Sequence, residues 1–210
     1  MPQKSRTIYL IRHGETEYNR LGMVQGSGID SDLNEIGRAQ AAAFFEHFKQ
    51  IHFKKIYTSK LKRTHQSVAN FIELGLPWEQ HEGLNEISWG NTEGHAATPE
   101  TDQVYYQTLA AWRNGDTQLA VNGGESPNQV AARQKAVLDL IESKPDEDPI
   151  LICMHGRAIR ILLCGLLKLP LSRMDMFEHR NLCLYKLQQT ADGSWEIRLS
   201  NFVVHPPAPY

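Results

Sequence analysis

The sequence predicts an α/β domain on a mostly parallel sheet, and three observations carry that expectation. Two apolar runs, Ile8-Tyr9-Leu10-Ile11 and Ile150-Leu151-Ile152-Cys153-Met154, are short and continuous, as buried strands are. Each is followed within two residues by a histidine and a glycine, at His13-Gly14 and His155-Gly156. Helix-forming and strand-forming segments alternate along the rest of the chain. A length of 210 residues fits one domain spanning 1–210.

Composition narrows the class. Hydrophobic residues make up 41% and charged residues 22%, enough for a core that needs no disulfides. A net charge of −2 leaves no basic footprint for nucleic acid or an anionic membrane, so any affinity for phosphate must come from local clustering. Cys153, Cys164 and Cys183 lie in apolar stretches without metal spacing and read as reduced thiols of a cytoplasmic protein. The first six residues are basic but lack a following apolar stretch, so no signal peptide is expected. The longest apolar segment, Ala158 to Leu169, is interrupted by Arg160, Gly165 and Lys168 and is too short to span a bilayer.

The first strand ends in Arg12-His13-Gly14-Glu15-Thr16, with Asn19 close behind. That places a cation and an imidazole at the carboxyl edge, where open α/β sheets bind ligands. Gly14 lets the backbone approach a ligand closely. The loop from Leu21 to Ser31 carries Gln25, Gly26 and Gly28, and Asn34 is a candidate N-cap for a helix through Ala39–Phe48. A second strand at Lys54–Thr58 leads to Ser59, which is expected to open a helix with Arg63 in its first turn. Lys60, Lys62 and Arg63 oppose the macrodipole there. The two lysines read as solvated, and Arg63 as a phosphate fork beside a helix terminus.

Trp78-Glu79-Gln80 is a short strand. Glu86 follows, beside Ile87 and Trp89, and apolar neighbours can raise a carboxyl pKa toward neutrality. A helix is expected from Pro99 to Trp112. Ser126-Pro127-Asn128-Gln129 is a capping box with proline in the first turn, opening a helix to Ser143. His155-Gly156-Arg157 enters an apolar helix, and Leu182–Leu187 with Trp195–Val204 close a hairpin around Asp192-Gly193. Two parallel strands ending in His-Gly, about 140 residues apart, can bring two imidazoles to one edge. Packing alone does not explain that pairing.

In order, Arg12-His13-Gly14-Glu15-Thr16 with Asn19, Gln25-Gly26, Asp32-Leu33 to Gly37, Ser59 to Arg63, Leu84 to Gly90 around Glu86, Glu93-Gly94, Gly124-Glu125-Ser126 and His155-Gly156 resemble the histidine phosphatase superfamily, the phosphoglycerate-mutase-like branch. The resemblance implies a three-layer α/β/α sandwich and metal-independent hydrolysis of small phosphomonoesters through phosphohistidine on His13. It implies that Arg12, Arg63 and His155 hold the phosphoryl oxygens and that Glu86 gives and takes the proton. Asn19, Gln25, Gly26 and Gly156 would be further phosphate contacts. It implies no cofactor, no metal, and a monomer or homodimer. Met154 departs from the pattern, standing where a small hydroxyl residue often precedes the histidine.

Two other readings compete: a mutase, and a non-catalytic phosphate-binding protein. A metal-dependent hydrolase is disfavoured because the nine histidines lack ligand spacing. Mutases of the family supply extra basic residues after the catalytic glutamate. Here the variable segment 95–124, expected to shape the substrate side, holds Glu100, Asp102 and Asp116 but one permanent cation, Arg113. Tyr105, Tyr106 and Trp112 read as an apolar or sugar-sized contact surface, or equally as helix packing.

Overall fold

The computed structural model describes residues 5–96, 98–121 and 123–204. Strand β1 (Thr7–Arg12) leads into a single-turn helix, α1 (Glu17–Arg20), and then α2 (Glu35–Phe48). Strand β2 (Lys55–Thr58) is followed by two short helices, α3 (Lys62–Ser67) and α4 (Ala69–Glu73), and by β3 (Trp78–Gln80). After the Glu86 loop come α5 (Pro99–Arg113), α6 (Pro127–Glu142), β4 (Ile150–Met154) and α7 (Gly156–Leu166). The hairpin β5 (Leu184–Gln189) and β6 (Trp195–Phe202) ends the sheet.

Strand order is β3-β2-β4-β1-β5-β6. The first four strands are parallel and the hairpin joins β1 antiparallel, giving the mostly parallel sheet expected. Period-two alternation divides β1 and β4 between two cores. Ile8, Leu10, Ile150, Ile152 and Met154 face the side covered by α5, α6 and α7. Tyr9, Ile11, Leu151 and Cys153 face the side where Phe44 and Phe48 of α2 pack with Phe71 of α4. These are the three layers. The three cysteines are buried and free.

Local signals act as the sequence predicts at several places. Asn34 accepts the Gly37 N–H and caps α2, and Ser126 with Gln129 forms the reciprocal capping box of α6 with Pro127 in the first turn. The Ser59 expectation fails. The helix begins at Lys62 with Leu61 as an N-cap that makes no side-chain bond, and it breaks at Val68 before α4 resumes. The Ser59 hydroxyl accepts the Leu61 N–H (3.1 Å) but is also engaged by a long-range partner in the site.

Candidate active site

The site sits at the carboxyl edge where β1 and β4 are neighbours. Arg12 pairs with Met154 in the register, and the His13 N–H donates to the Met154 carbonyl (3.0 Å). Each histidine is therefore the residue just past its paired strand, and their rings lie 5.1 Å apart between centroids. Both are almost fully buried. Gly14 serves a different purpose from the one its sequence context implies. A Cβ there would meet the Gly37 carbonyl at 2.7 Å, so its absence admits the start of α2.

His13 Nδ1 lies 2.7 Å from the Gly14 carbonyl, which can only accept, so Nδ1 carries the proton and Nε2 keeps its lone pair. Burial first, then the charges of Arg63 and Arg12, hold His13 well below the usual histidine range and keep it neutral. The same causes, burial and then Arg63, act on His155. His155 Nδ1 accepts from Arg63 Nε (3.2 Å), which leaves Nε2–H to donate to Ser59 Oγ (2.8 Å). The missing hydroxyl at Met154 is thus replaced by one from β2's end. Ser59 in turn lies 3.0 Å from Thr64 Oγ1, whose hydroxyl reaches the Leu61 carbonyl at 2.8 Å.

Arg63 is fully buried, and burial lowers its pKa to about 10, still charged at neutral pH. Its Nη1 and Nη2 donate to the carbonyls of Ile29 (2.5 Å) and Gly26 (3.2 Å), tying down the glycine-rich loop. Gln25, with its carboxamide turned to match its neighbours, accepts from Arg63 Nη1 (3.2 Å) and donates to Thr16 Oγ1 (2.7 Å). Gln25 and Gly26 therefore hold the guanidinium itself. Lys60 and Lys62 are exposed. Arg12 Nη1 lies 3.2 Å from His179 Nδ1, while its buried Nε has no protein partner. An unpaired buried N–H beside the His13 ring fits an incoming anion.

Glu86 is surrounded differently from the apolar setting its sequence neighbours imply. Its Oε1 accepts the N–H groups of Ile87 and Ala158 (both 2.9 Å), and Oε2 accepts that of Arg157 (3.0 Å). The last two amides open α7, whose N-cap is His155, so one carboxylate is fixed to the terminus that presents the second imidazole. From α6, Arg133 donates to the carbonyls of Gly83, Asn85 and Glu86 and pairs with Glu125. Glu125 also accepts the Ser88 N–H (2.9 Å), which gives the Gly124-Glu125-Ser126 motif its role.

Three contributors escaped the sequence reading. His179 packs on Gly156, where a Cβ would meet its ring at 2.8 Å, and burial followed by Arg12 pushes it down to about 2. Asn181 donates to the His13 carbonyl (3.2 Å) and to Asn19 Oδ1 (3.1 Å), joining Asn19 to the His13 backbone. Arg157 is buried, pairs with Asp175, and lies over Trp89 and Trp112. Nothing in their sequence context marks His179 or Asn181. Only the first helical position after His155-Gly156 singles out Arg157.

Beside these residues opens a cavity of about 340 Å³, to which Asn19, Gln25, Trp89, Tyr105 and Val121 contribute. Segment 95–124 thus does form part of the wall, through Tyr105 and Val121. Trp112 belongs to the core instead, and Tyr106 is exposed. The side chains of Glu100 and Asp102 lie outside the described residues. Among the described residues, no three His, Cys, Asp or Glu side chains are grouped to hold a metal ion.

A buried neutral imidazole with a fixed tautomer, two guanidinium groups and a carboxylate gathered at one sheet edge are groups suited to holding and accepting a phosphoryl group. The profile of the histidine phosphatase superfamily (branch 1) matches residues 8–203, and the chain belongs to that family. It is 33% identical over 180 residues to glucosyl-3-phosphoglycerate phosphatase of Mycobacterium tuberculosis, covering 80% of this chain and 78% of that one. A probable phosphoglycerate mutase GpmB of Yersinia pestis is 30% identical over 210 residues, covering 96% and 95%. The native structure of mycobacterial glucosyl-3-phosphoglycerate phosphatase superposes with a TM-score of 0.80 at 29% identity, covering 94% of this chain and 99% of that one.

Proposed function

We propose that this phosphoric monoester hydrolase works by two in-line transfers through His13, with the residues above in the following roles. His13 Nε2 attacks phosphorus, the P–O bond to the alcohol breaks, and Glu86 gives its proton to the leaving oxygen. Glu86 then takes a proton from water, whose oxygen attacks phosphorus as the P–N bond breaks and inorganic phosphate leaves. Arg12, Arg63 and His155 face the charge that spreads over the equatorial oxygens. Asn19, Gln25, Gly26 and Gly156 act by fixing those groups in place. His155 reaches a phosphoryl oxygen by exchanging its bond to Ser59. The cytoplasm, suggested by the buried free thiols, suits a small-metabolite substrate.

The observation that carries this reading is the Nδ1–H of His13 tied to Gly14, which leaves a neutral Nε2 within the field of the Arg63 and Arg12 cations. Brief mixing with a labelled phosphomonoester and an alkaline quench is expected to leave label on His13. His13→Ala is expected to show neither label nor turnover. Activity that vanished in chelator and returned with zinc or magnesium would replace this scheme with a metal-dependent one. The mutase-named relative supports a second reading, phosphoryl return to the substrate. Supplying 3-phosphoglycerate with catalytic 2,3-bisphosphoglycerate decides between them. Release of phosphate faster than formation of 2-phosphoglycerate is expected.

A further inference from the structure

The cavity beside the catalytic edge carries information about the alcohol that leaves. Its connection with the site is short: Asn19 and Gln25 line it, Gln25 accepts from Arg63, and Asn19 is joined through Asn181 to the His13 carbonyl. Trp89, another wall residue, follows Glu86 by three positions. Arg157, whose N–H holds Glu86, lays its guanidinium over the Trp89 ring (6.0 Å) and reaches Tyr105 Oη at 3.5 Å. The cavity is therefore positioned to receive whatever is attached to the phosphoryl group. Its volume of about 340 Å³ is at the small end of the ~300–1,000 Å³ typical of small-molecule sites.

Its chemistry is uniform. Among the described residues, none of those lining it is charged, and Tyr18, Val24, Trp89, Tyr105 and Val121 supply aromatic or branched apolar walls. The polar atoms available are neutral amides and hydroxyls. The charges nearby are committed elsewhere. Glu93 accepts the N–H groups of Trp89 and Gly28 (both 2.8 Å). Arg157 is only 6% exposed and pairs with Asp175, which also binds Arg160 (2.8 Å) and Arg113 (3.0 Å). A carboxylate on the leaving group would lose water there without gaining a cation, a cost that a neutral ring avoids. Aromatic walls bearing hydroxyls and amides suit a ring with an apolar face and polar edges.

We propose that the natural substrate is the phosphomonoester of an uncharged, ring-bearing alcohol of sugar or nucleoside size, and that carboxylate-bearing esters are poor substrates. This rests on the phosphatase reading above and narrows it. The test compares kcat/KM of the full chain for adenosine 5′-monophosphate and glucose 6-phosphate against O-phosphoserine and 3-phosphoglycerate. At least one ring ester is expected to exceed both carboxylates by about tenfold or more, the scale of a matched apolar contact. Met23→Lys, which places a cation in the wall, is expected to move the ratio toward 3-phosphoglycerate by about tenfold. Carboxylates preferred by the unaltered protein, or a ratio unmoved by Met23→Lys, would overturn the proposal. Methyl phosphate, too small to use the cavity, separates the two readings. If neither it nor any ester is turned over, the phosphatase mechanism fails. Calorimetric titration with adenosine and with glycerate in the presence of phosphate then still decides the pocket: adenosine is expected to bind, and glycerate binding more tightly would refute it.

Discussion

Glu86→Gln is the substitution whose effects can be separated most completely. It removes the carboxyl to which the proposed mechanism assigns the proton and also disturbs a bonding pattern that a neutral amide cannot copy. The glutamine oxygen can still take the N–H groups of Ile87 and Ala158, but its NH2 group would then face the Arg157 N–H, donor against donor. One buried hydrogen bond is lost and one donor is stranded, costing ~1–3 kcal/mol. For a chain of this size that lowers Tm by roughly 2–12 °C. Loss of general acid assistance should cost ~10²–10⁴-fold, or about 2.7–5.4 kcal/mol of barrier. The chemical cost depends on the leaving group and the structural cost does not. Rates are therefore measured on an alkyl and an aryl phosphomonoester, well below the variant's Tm. The alkyl ester should lose the full factor, because its alkoxide needs the proton. The aryl ester should lose only what displacement of α7 and His155 causes. An equal loss on both esters would remove Glu86 from the acid role and leave it as the anchor of α7.

Other outcomes follow from the same geometry. His13, His155 and His179 are all held below the ordinary histidine range in the fold. The unfolded chain therefore binds more protons below about pH 6.5, and stability falls as pH falls through that value. The slope approaches ~1.4 kcal/mol per pH unit for each histidine, and His179→Asn should flatten it in denaturant titrations between pH 6.5 and 5. A stability flat over that range would show that these rings take up protons in the fold as readily as in the unfolded chain. Ser59→Ala should lower Tm yet tighten inhibition by inorganic phosphate ~2–10-fold, because Nε2–H of His155 no longer has a competing acceptor. Weaker phosphate inhibition would assign Ser59 to holding the ring in place. Arg63→Lys keeps the charge but cannot span His155, Ile29 and Gly26. It should cut kcat/KM by about 10²-fold or more, and a near-normal value would mean that charge alone suffices.

The parts legible in the sequence are those written in short spacings. Strand, histidine and glycine occur side by side in both halves, and the caps at Asn34 and Ser126 act within three residues. What escaped depends on distant partners. Ser59 precedes a helical spacing but does not open the helix, which begins at Lys62. Its bond to His155 spans 96 positions, and no local rule encodes it. His179 looks like any of nine histidines until Gly156 is seen to make room for it. The surroundings of Glu86 were misjudged for a related reason. Its chain neighbours are apolar, but its spatial neighbours are the amides that open α7. The cation Arg157 likewise lies outside segment 95–124 yet reaches Tyr105 of that segment across 52 positions.

The register of β1 against β4 has a consequence for how activity arises as the chain is made. Residue 12 pairs with residue 154, so neither imidazole has its partner until nearly three quarters of the polypeptide exists. A loop of that span must close before the contact returns any energy, which makes it a late and slow event. Nothing shorter can carry a neutral nucleophile flanked by two guanidinium groups. A nascent or truncated chain ending before Ile150 is thus expected to be catalytically silent toward the cell's phosphate esters. Competence would follow only once the last central strand slots between its two parallel neighbours and α7, His179 and Asn181 have been added behind it.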